Sequence, residues 1–248
     1  MRKINLATQK VTDLPRSRAR VPAPSAVGHI SDQWIVYTSW LNRTKRPITT
    51  FSTTWTVPNP PQNNSGQLIY LFNGLLDKDK TCILQPVLQW GASGFGGNAS
   101  WGIANWLVDS SGHVCTTDLV PVAVGDVVTG QITVLDQSNG SFDYLCQFKL
   151  NNGPGPSLPA LDMGQLTLAV ETLECYGITG CQDYPGTDST AMRAIQVQSG
   201  ANDLAVGWYQ NDLVTDCGQH TTIVTDGSPN GEVDIFYRAP APRPAAFV

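Results

Sequence analysis

Among the 248 residues, the stretch with the densest chemistry is Thr81 to Gly91, Thr-Cys-Ile-Leu-Gln-Pro-Val-Leu-Gln-Trp-Gly. Side chains alternate across a strand, so Cys82, Leu84, Pro86, Leu88 and Trp90 share one face, and Ile83, Gln85, Val87 and Gln89 share the other. Pro86 removes a backbone donor, which marks an edge, bend or bulge, and it holds Gln85 in the extended region. A neutral side chain that both donates and accepts is thereby presented at a fixed angle. An ordinary core strand with two satisfied glutamines has the same appearance, so a chemical reading needs a partner elsewhere. Leu166 to Glu174, Leu-Thr-Leu-Ala-Val-Glu-Thr-Leu-Glu, supplies one. Alternation there groups Glu171 with Thr167, Ala169 and Leu173, and Leu166, Leu168, Val170 and Thr172 on the opposite face. A carboxylate within an apolar strand is costly to bury unless it is paired or hydrogen-bonded, and Ala169 and Leu173 do not make a solvent face. A carboxylate beside an amide is a pairing suited to general acid–base chemistry on water.

Other reactive residues lead less far. Ser93 lies in Gly-Ala-Ser-Gly, which is not a nucleophile elbow, and the Ser93 to Asn98 loop lacks the Lys-Ser/Thr of a phosphate loop. Asp216, Cys217 and His220 form a thiol site only if Cys217 is free, and the Cys217 and His220 spacing alone is weak support for zinc. Cys175 and Cys181 flank five residues with two glycines, a spacing that can close a small disulfide loop just after the Glu171 strand. The six cysteines otherwise allow fifteen full pairings.

The elements that must position these residues are strands. Segments are expected at residues 34–40, 50–57, 67–72, 81–90, 101–108, 127–135, 142–150, 166–174, 191–198, 204–209, 220–224 and 232–237. Turn dipeptides such as Asn139-Gly140 and Asp226-Gly227 separate them, as in a sandwich or barrel. At most a short helix is expected, within residues 186–193. Residues 1–31, with six of the fifteen basic residues and three prolines, read as an arm. Residues 32–238 form the β domain, and 239–248 a proline-rich tail.

A formal charge of -5 gives no support for nucleic-acid binding. No apolar run is long enough for a membrane-spanning helix, and no secretory leader is visible. Four glycosylation sequons, at Asn42, Asn63, Asn98 and Asn139, are compatible with an extracellular protein, as would be disulfides.

Four segments together carry a resemblance: Thr54-Trp55-Thr56-Val57-Pro58, Ile83-Leu84-Gln85, Ala169-Val170-Glu171-Thr172-Leu173-Glu174 and Asp188-Ser189-Thr190-Ala191-Met192. Their order and approximate spacing resemble those of the fungal glutamic peptidases, the eqolisins. The resemblance implies an all-β, two-sheet antiparallel sandwich of the concanavalin A-like jelly-roll type, a polypeptide substrate and no cofactor or metal. It implies a catalytic pair, Gln85 and Glu171, on neighbouring strands and within one water's reach. Glu171 would take a proton from water and return it to the leaving amine, and Gln85 would stabilise the oxyanion. Substrate contacts would come from Asp77, Gln89, Trp90, Trp101, Asn105 and Trp106. The family carries acids where this chain has Gln89 and Asn105, so Glu171 is expected to ionise more easily than its counterpart and activity to extend further toward neutral pH. A rival reading is a non-catalytic sandwich that binds carbohydrate on exposed Trp90, Trp101 and Trp106.

Overall fold

A computed structural model describes residues 9–12, 33–151 and 153–239 of the chain. Seventeen strands follow in order: β1 Gln9–Thr12, β2 Trp34–Leu41, β3 Thr50–Thr56, β4 Leu68–Leu76, β5 Cys82–Trp90, β6 Trp101–Asp109, β7 Val114–Thr117, β8 Val120–Pro121 and β9 Val127–Ser138. The rest are β10 Ser141–Leu150, β11 Gly153–Met163, β12 Leu168–Tyr176, β13 Ser189–Ser199, β14 Asn202–Asp203, β15 Tyr209–Asp212, β16 His220–Thr225 and β17 Gly231–Phe236. They form a two-sheet antiparallel β-sandwich. One sheet runs β1-β7-β6-β5-β4-β12-β2-β15 with β8 on β6, and the other runs β11-β10-β9-β3-β13-β17-β16 with β14 on β13.

Residues 186–193, where a short helix was expected, lead into β13, and the helical turn among the described residues is the 3-10 turn Cys181–Asp183. The expected strand at 204–209 is displaced to β15. Strand β11, which contains Pro154, Pro156 and Pro159, was not among the expected segments; it is the edge strand, where a missing N–H is tolerated. Within the expected arm, Gln9–Thr12 pairs with β7 at the edge of the nine-stranded sheet. The rest of that arm, and the tail beyond Ala239, lie outside the described residues.

Two apolar clusters account for the packing. The first fills the space between the sheets, with Leu71, Leu84, Leu88, Ala169 and Leu173 of the nine-stranded sheet facing Phe51, Trp55, Ile132, Tyr144 and Phe148 of the other. The second lies on the outer face of the nine-stranded sheet and includes Trp34, Tyr70, Phe72, Ile83, Val87, Trp106 and Val170, with Phe95, Leu119 and Tyr176 packed against it. All nine residues of β4 are buried. An antiparallel sheet commonly leaves one face to water. Here the central strands are apolar on both, and the outer face is a second buried surface.

The described cysteines include one disulfide, Cys181–Cys217, with Cα atoms 5.5 Å apart. The expected Cys175–Cys181 pairing is therefore corrected: Cys175 points into the core from β12 and is a buried free thiol. Because Cys217 is oxidised, the thiol reading of Asp216, Cys217 and His220 lapses, and His220 stacks on Phe236 with ring centroids 4.3 Å apart.

Candidate active site

Alternation within each strand is as the sequence indicates, but the registers between strands decide which faces coincide. Gln85 pairs with Trp106 on β6 and shares its face with Ile83 and Val87, all three in the outer cluster. Glu171 pairs with Asn73 on β4 and Thr38 on β2, and shares its face with Ala169 and Leu173 of the inter-sheet core. The Glu171 carboxylate accepts a hydrogen bond of 2.5 Å from Thr53 Oγ1 on β3, in the opposing sheet. Gln85 and Glu171 thus stand on opposite faces of one sheet, with β4 between their strands. They share no cleft. Burial also pushes the Glu171 carboxyl well above the usual carboxylate range, with only the Thr53 hydrogen bond opposing it.

The other expected contacts divide the same way. Asn105 faces the inter-sheet space, where its Nδ2 donates to Pro156 O at 2.8 Å and its Oδ1 accepts from the Cys146 thiol at 3.3 Å. Trp90 and Trp101 point into the inter-sheet core, edge to face at 5.4 Å. Asp77 closes the β4–β5 turn, accepting from Thr81 N at 2.6 Å, Thr81 Oγ1 at 2.8 Å and Cys82 N at 2.9 Å. Gln89 and Trp106 do lie on the outer face. With Trp90, Trp101 and Trp106 only 7%, 2% and 1% exposed, none offers a platform to a sugar, and the rival reading loses the feature it rested on.

One row across the outer face gathers polar groups. Glu174 on β12 pairs with Tyr70 on β4, and Tyr70 pairs with Gln89 on β5. Trp34 extends the row beyond Glu174, and Gly102 beyond Gln89, where the Leu119 side chain occupies the space a Cβ would take. Glu174, Tyr70 and Gln89 are all buried. With one strand between them, the Glu174 and Gln89 backbones are about 10 Å apart, a gap that two converging side chains can narrow to the width of a water. Gln85, four residues before Gln89 on the same strand, sits about 13 Å along it and outside this row.

Each member of the row is held. Tyr176 O–H donates to Glu174 Oε1 at 2.5 Å from two residues along the same face. Gln89 Nε2 donates to two loop carbonyls, Gly91 O and Gly96 O, both at 2.9 Å, and leaves its buried Oε1 without a partner. The loop reaches Gln89 because Gly97 has φ +106° and no side chain: a Cβ there would stand 2.5 Å from Gln89 Nε2. Phe95 of this loop packs edge-on against Trp106 at 5.1 Å. The Tyr70 ring lies between Trp106 and Tyr176, each 6.2 Å away, and its buried hydroxyl has no partner at full hydrogen-bond geometry. Burial and, next, the negative charge of Glu174 push the Tyr70 phenol well above its ordinary value, against a smaller opposing pull from the adjacent Ser93 hydroxyl. Among the described residues, no cluster of three or more His, Cys, Asp or Glu could hold a metal ion.

Sequence reasoning missed Glu174, Tyr70 and Tyr176. A usable signal was present: Ala169 and Leu173 are as apolar as Leu84 and Leu88, and two such faces belong to the same core, which puts Glu171 opposite Gln85 and leaves Glu174 on the glutamine face. Val87-Leu88-Gln89 also repeats the apolar-apolar-Gln form of Ile83-Leu84-Gln85.

No family model and no curated protein matches the sequence. Solved structures do match the fold. Scytalido-glutamic peptidase bound to a transition-state analogue inhibitor superposes with a TM-score of 0.57 at 16% identity, over 83% of this chain and 98% of that one. SCP-B, a member of the eqolisin family in complex with the tripeptide Ala-Ile-His, superposes with a TM-score of 0.51 at 15% identity, over 83% and 98% of the two chains. The chain has the fold of the glutamic peptidases at wide sequence divergence.

Proposed function

We propose that the protein is a glutamic-type peptidase whose working pair is Glu174 and Gln89. The observation that carries this reading is the row Glu174–Tyr70–Gln89, a buried carboxylate, phenol and amide on three adjacent strands of a largely apolar outer face that also holds Gln85 and Thr172. The glutamic-peptidase fold supports it, as do the peptide-like ligands of the similar structures. In the reaction a water held between Glu174 and Gln89 attacks the peptide carbonyl. Its oxygen bonds to carbon while one proton passes to the Glu174 carboxylate; collapse of the tetrahedral intermediate breaks the C–N bond, and that proton goes to the departing amine. Tyr176 holds the Glu174 carboxylate in place, and the apolar walls exclude bulk water, which strengthens the charge interactions inside. The disulfide fits an oxidising compartment, so the proposed site of action is extracellular.

The test is digestion of a denatured protein and of quenched peptides from acid to neutral pH by the wild type, Glu174→Gln and Glu171→Gln. Activity lost in the first variant and kept in the second supports the pair. Activity lost only with Glu171→Gln in a folded protein sinks it.

A further inference from the structure

The assignment of donors within the row is unusual, and it rests on the peptidase reading above. A tetrahedral intermediate needs a hydrogen-bond donor aimed at its oxyanion. Gln89 is poorly placed to be that donor, because both hydrogens of its Nε2 go to the loop carbonyls Gly91 O and Gly96 O. A side-chain amide has two donors and no more, so the unsatisfied part of Gln89 is the acceptor Oε1, buried and without a partner. A donor is available one strand away. Tyr70 stands in the same row between Glu174 and Gln89, and its buried hydroxyl, with the Ser93 hydroxyl beside it, has no partner at full hydrogen-bond geometry. An orphaned buried hydroxyl costs free energy in the resting protein, and a substrate oxygen arriving there satisfies it.

We propose that Tyr70 is a catalytic residue: its O–H donates to the oxyanion of the tetrahedral intermediate, while Gln89 Oε1 accepts from the attacking water. The phenol keeps its proton throughout and stabilises charge without transferring it. Burial and the neighbouring Glu174 charge both favour the protonated phenol, so the donor persists across the acid and neutral range. The loop Gly91–Ser100 then has a defined part, because its two carbonyls orient the Gln89 amide with the oxygen toward the row.

The experiment compares wild type, Tyr70→Phe and Glu174→Gln for hydrolysis of a quenched peptide, and for binding of a peptide aldehyde, whose hydrate mimics the tetrahedral intermediate. The expected result for Tyr70→Phe is a fall in kcat of about 10²–10³-fold with KM within a few-fold of wild type. Aldehyde affinity should fall by a comparable factor, with the acid limb of the pH profile unmoved. A merely structural Tyr70 would not divide kcat from KM in this way. A folded Tyr70→Phe protein with kcat and aldehyde affinity close to wild type overturns the role of Tyr70 and leaves the peptidase reading standing. A wild type that neither hydrolyses peptides nor binds the aldehyde overturns both. Should Tyr70→Phe fail to fold, 3,5-difluorotyrosine incorporated at position 70 keeps the shape and makes a stronger donor; tighter aldehyde binding supports the proposal and unchanged binding overturns it.

Discussion

Glu171 and Glu174 stand three residues apart on β12, are both fully buried, and face opposite ways. Glu171 enters the space between the sheets, where its described hydrogen-bond partner is Thr53 of the opposing sheet and its cross-strand neighbour is Asn73. Glu174 enters the outer face, where Tyr176 donates to it and Tyr70 leads across to Gln89. The first is a carboxyl whose ionisation burial disfavours, and it links the two layers through Thr53. The second belongs to a row of polar groups that runs across three strands of the outer face. Burial alone does not mark a functional carboxylate. What separates the two is the company each keeps, a hydroxyl of the opposing sheet for Glu171 and a row of polar groups along one face for Glu174.

The comparison is broken most directly by activity. Glu174→Gln is expected to lower kcat/KM by about 10³-fold or more, and Glu171→Gln by less than about tenfold, since only the former removes a proton-transfer group. Peptide kinetics on the two folded variants measure the gap, and equal losses would erase the distinction.

The inter-sheet side is tested by spacing. An added Cβ on Gly130 of β9 would stand 2.4 Å from Asn73 Oδ1, 2.6 Å from Pro86 Cγ and 2.9 Å from Trp55 Cη2. Gly130→Ala is therefore expected to cost about 1–3 kcal/mol by overpacking, seen as a lower denaturation midpoint. A variant as stable as wild type would show that the sheets separate freely at this point.

The protonation of Glu171 gives a pH signature. Its carboxyl is raised in the folded state by burial, so the folded protein keeps a proton that the unfolded chain releases. The stabilising contribution is complete below the unfolded carboxylate pKa and is lost as pH climbs toward the folded value, at up to about 1.4 kcal/mol per pH unit. Glu171→Gln should remove that decline, so its stability relative to wild type should grow as pH rises from about 4.5 toward neutrality. Urea titrations at several pH values check the sign; parallel curves would mean that Glu171 ionises normally.

The smallest effect is expected at the β4–β5 turn. Hydrogen bonds from Thr81 and Cys82 hold the Asp77 carboxyl below its ordinary value despite partial burial, and the turn sits at the far end of β4 from Tyr70. Asp77→Ala is expected to cost about 1 kcal/mol of stability and leave kcat/KM unchanged. A loss of activity without a loss of stability would return Asp77 to the site.

The sandwich was legible because alternation and turn chemistry are local: strands such as β10, with Phe142, Tyr144, Cys146 and Phe148 inward, declare themselves in ten residues. Each strand's two faces were also legible. The relation between strands was not, because register depends on the lengths of the β4–β5 turn and of the long connection into β12, and one residue of slip exchanges every side chain between faces. Hence Gln85 and Glu171, each correctly grouped with its own neighbours, were paired across a sheet that separates them. Asn105 and the buried tryptophans failed for a related reason: an apolar sheet with two covered faces gives no polar side from which to tell core from cleft.

The prolines of β11 have a consequence for the margin of their sheet. Pro154, Pro156 and Pro159 lie on the outermost strand of the eight-stranded sheet. A sheet margin with its full set of amides is a template on which another molecule can dock by strand addition, the first step toward polymers and fibrils. Proline positions, which carry no amide hydrogen, interrupt that template. The margin is thereby guarded against self-assembly at high concentration.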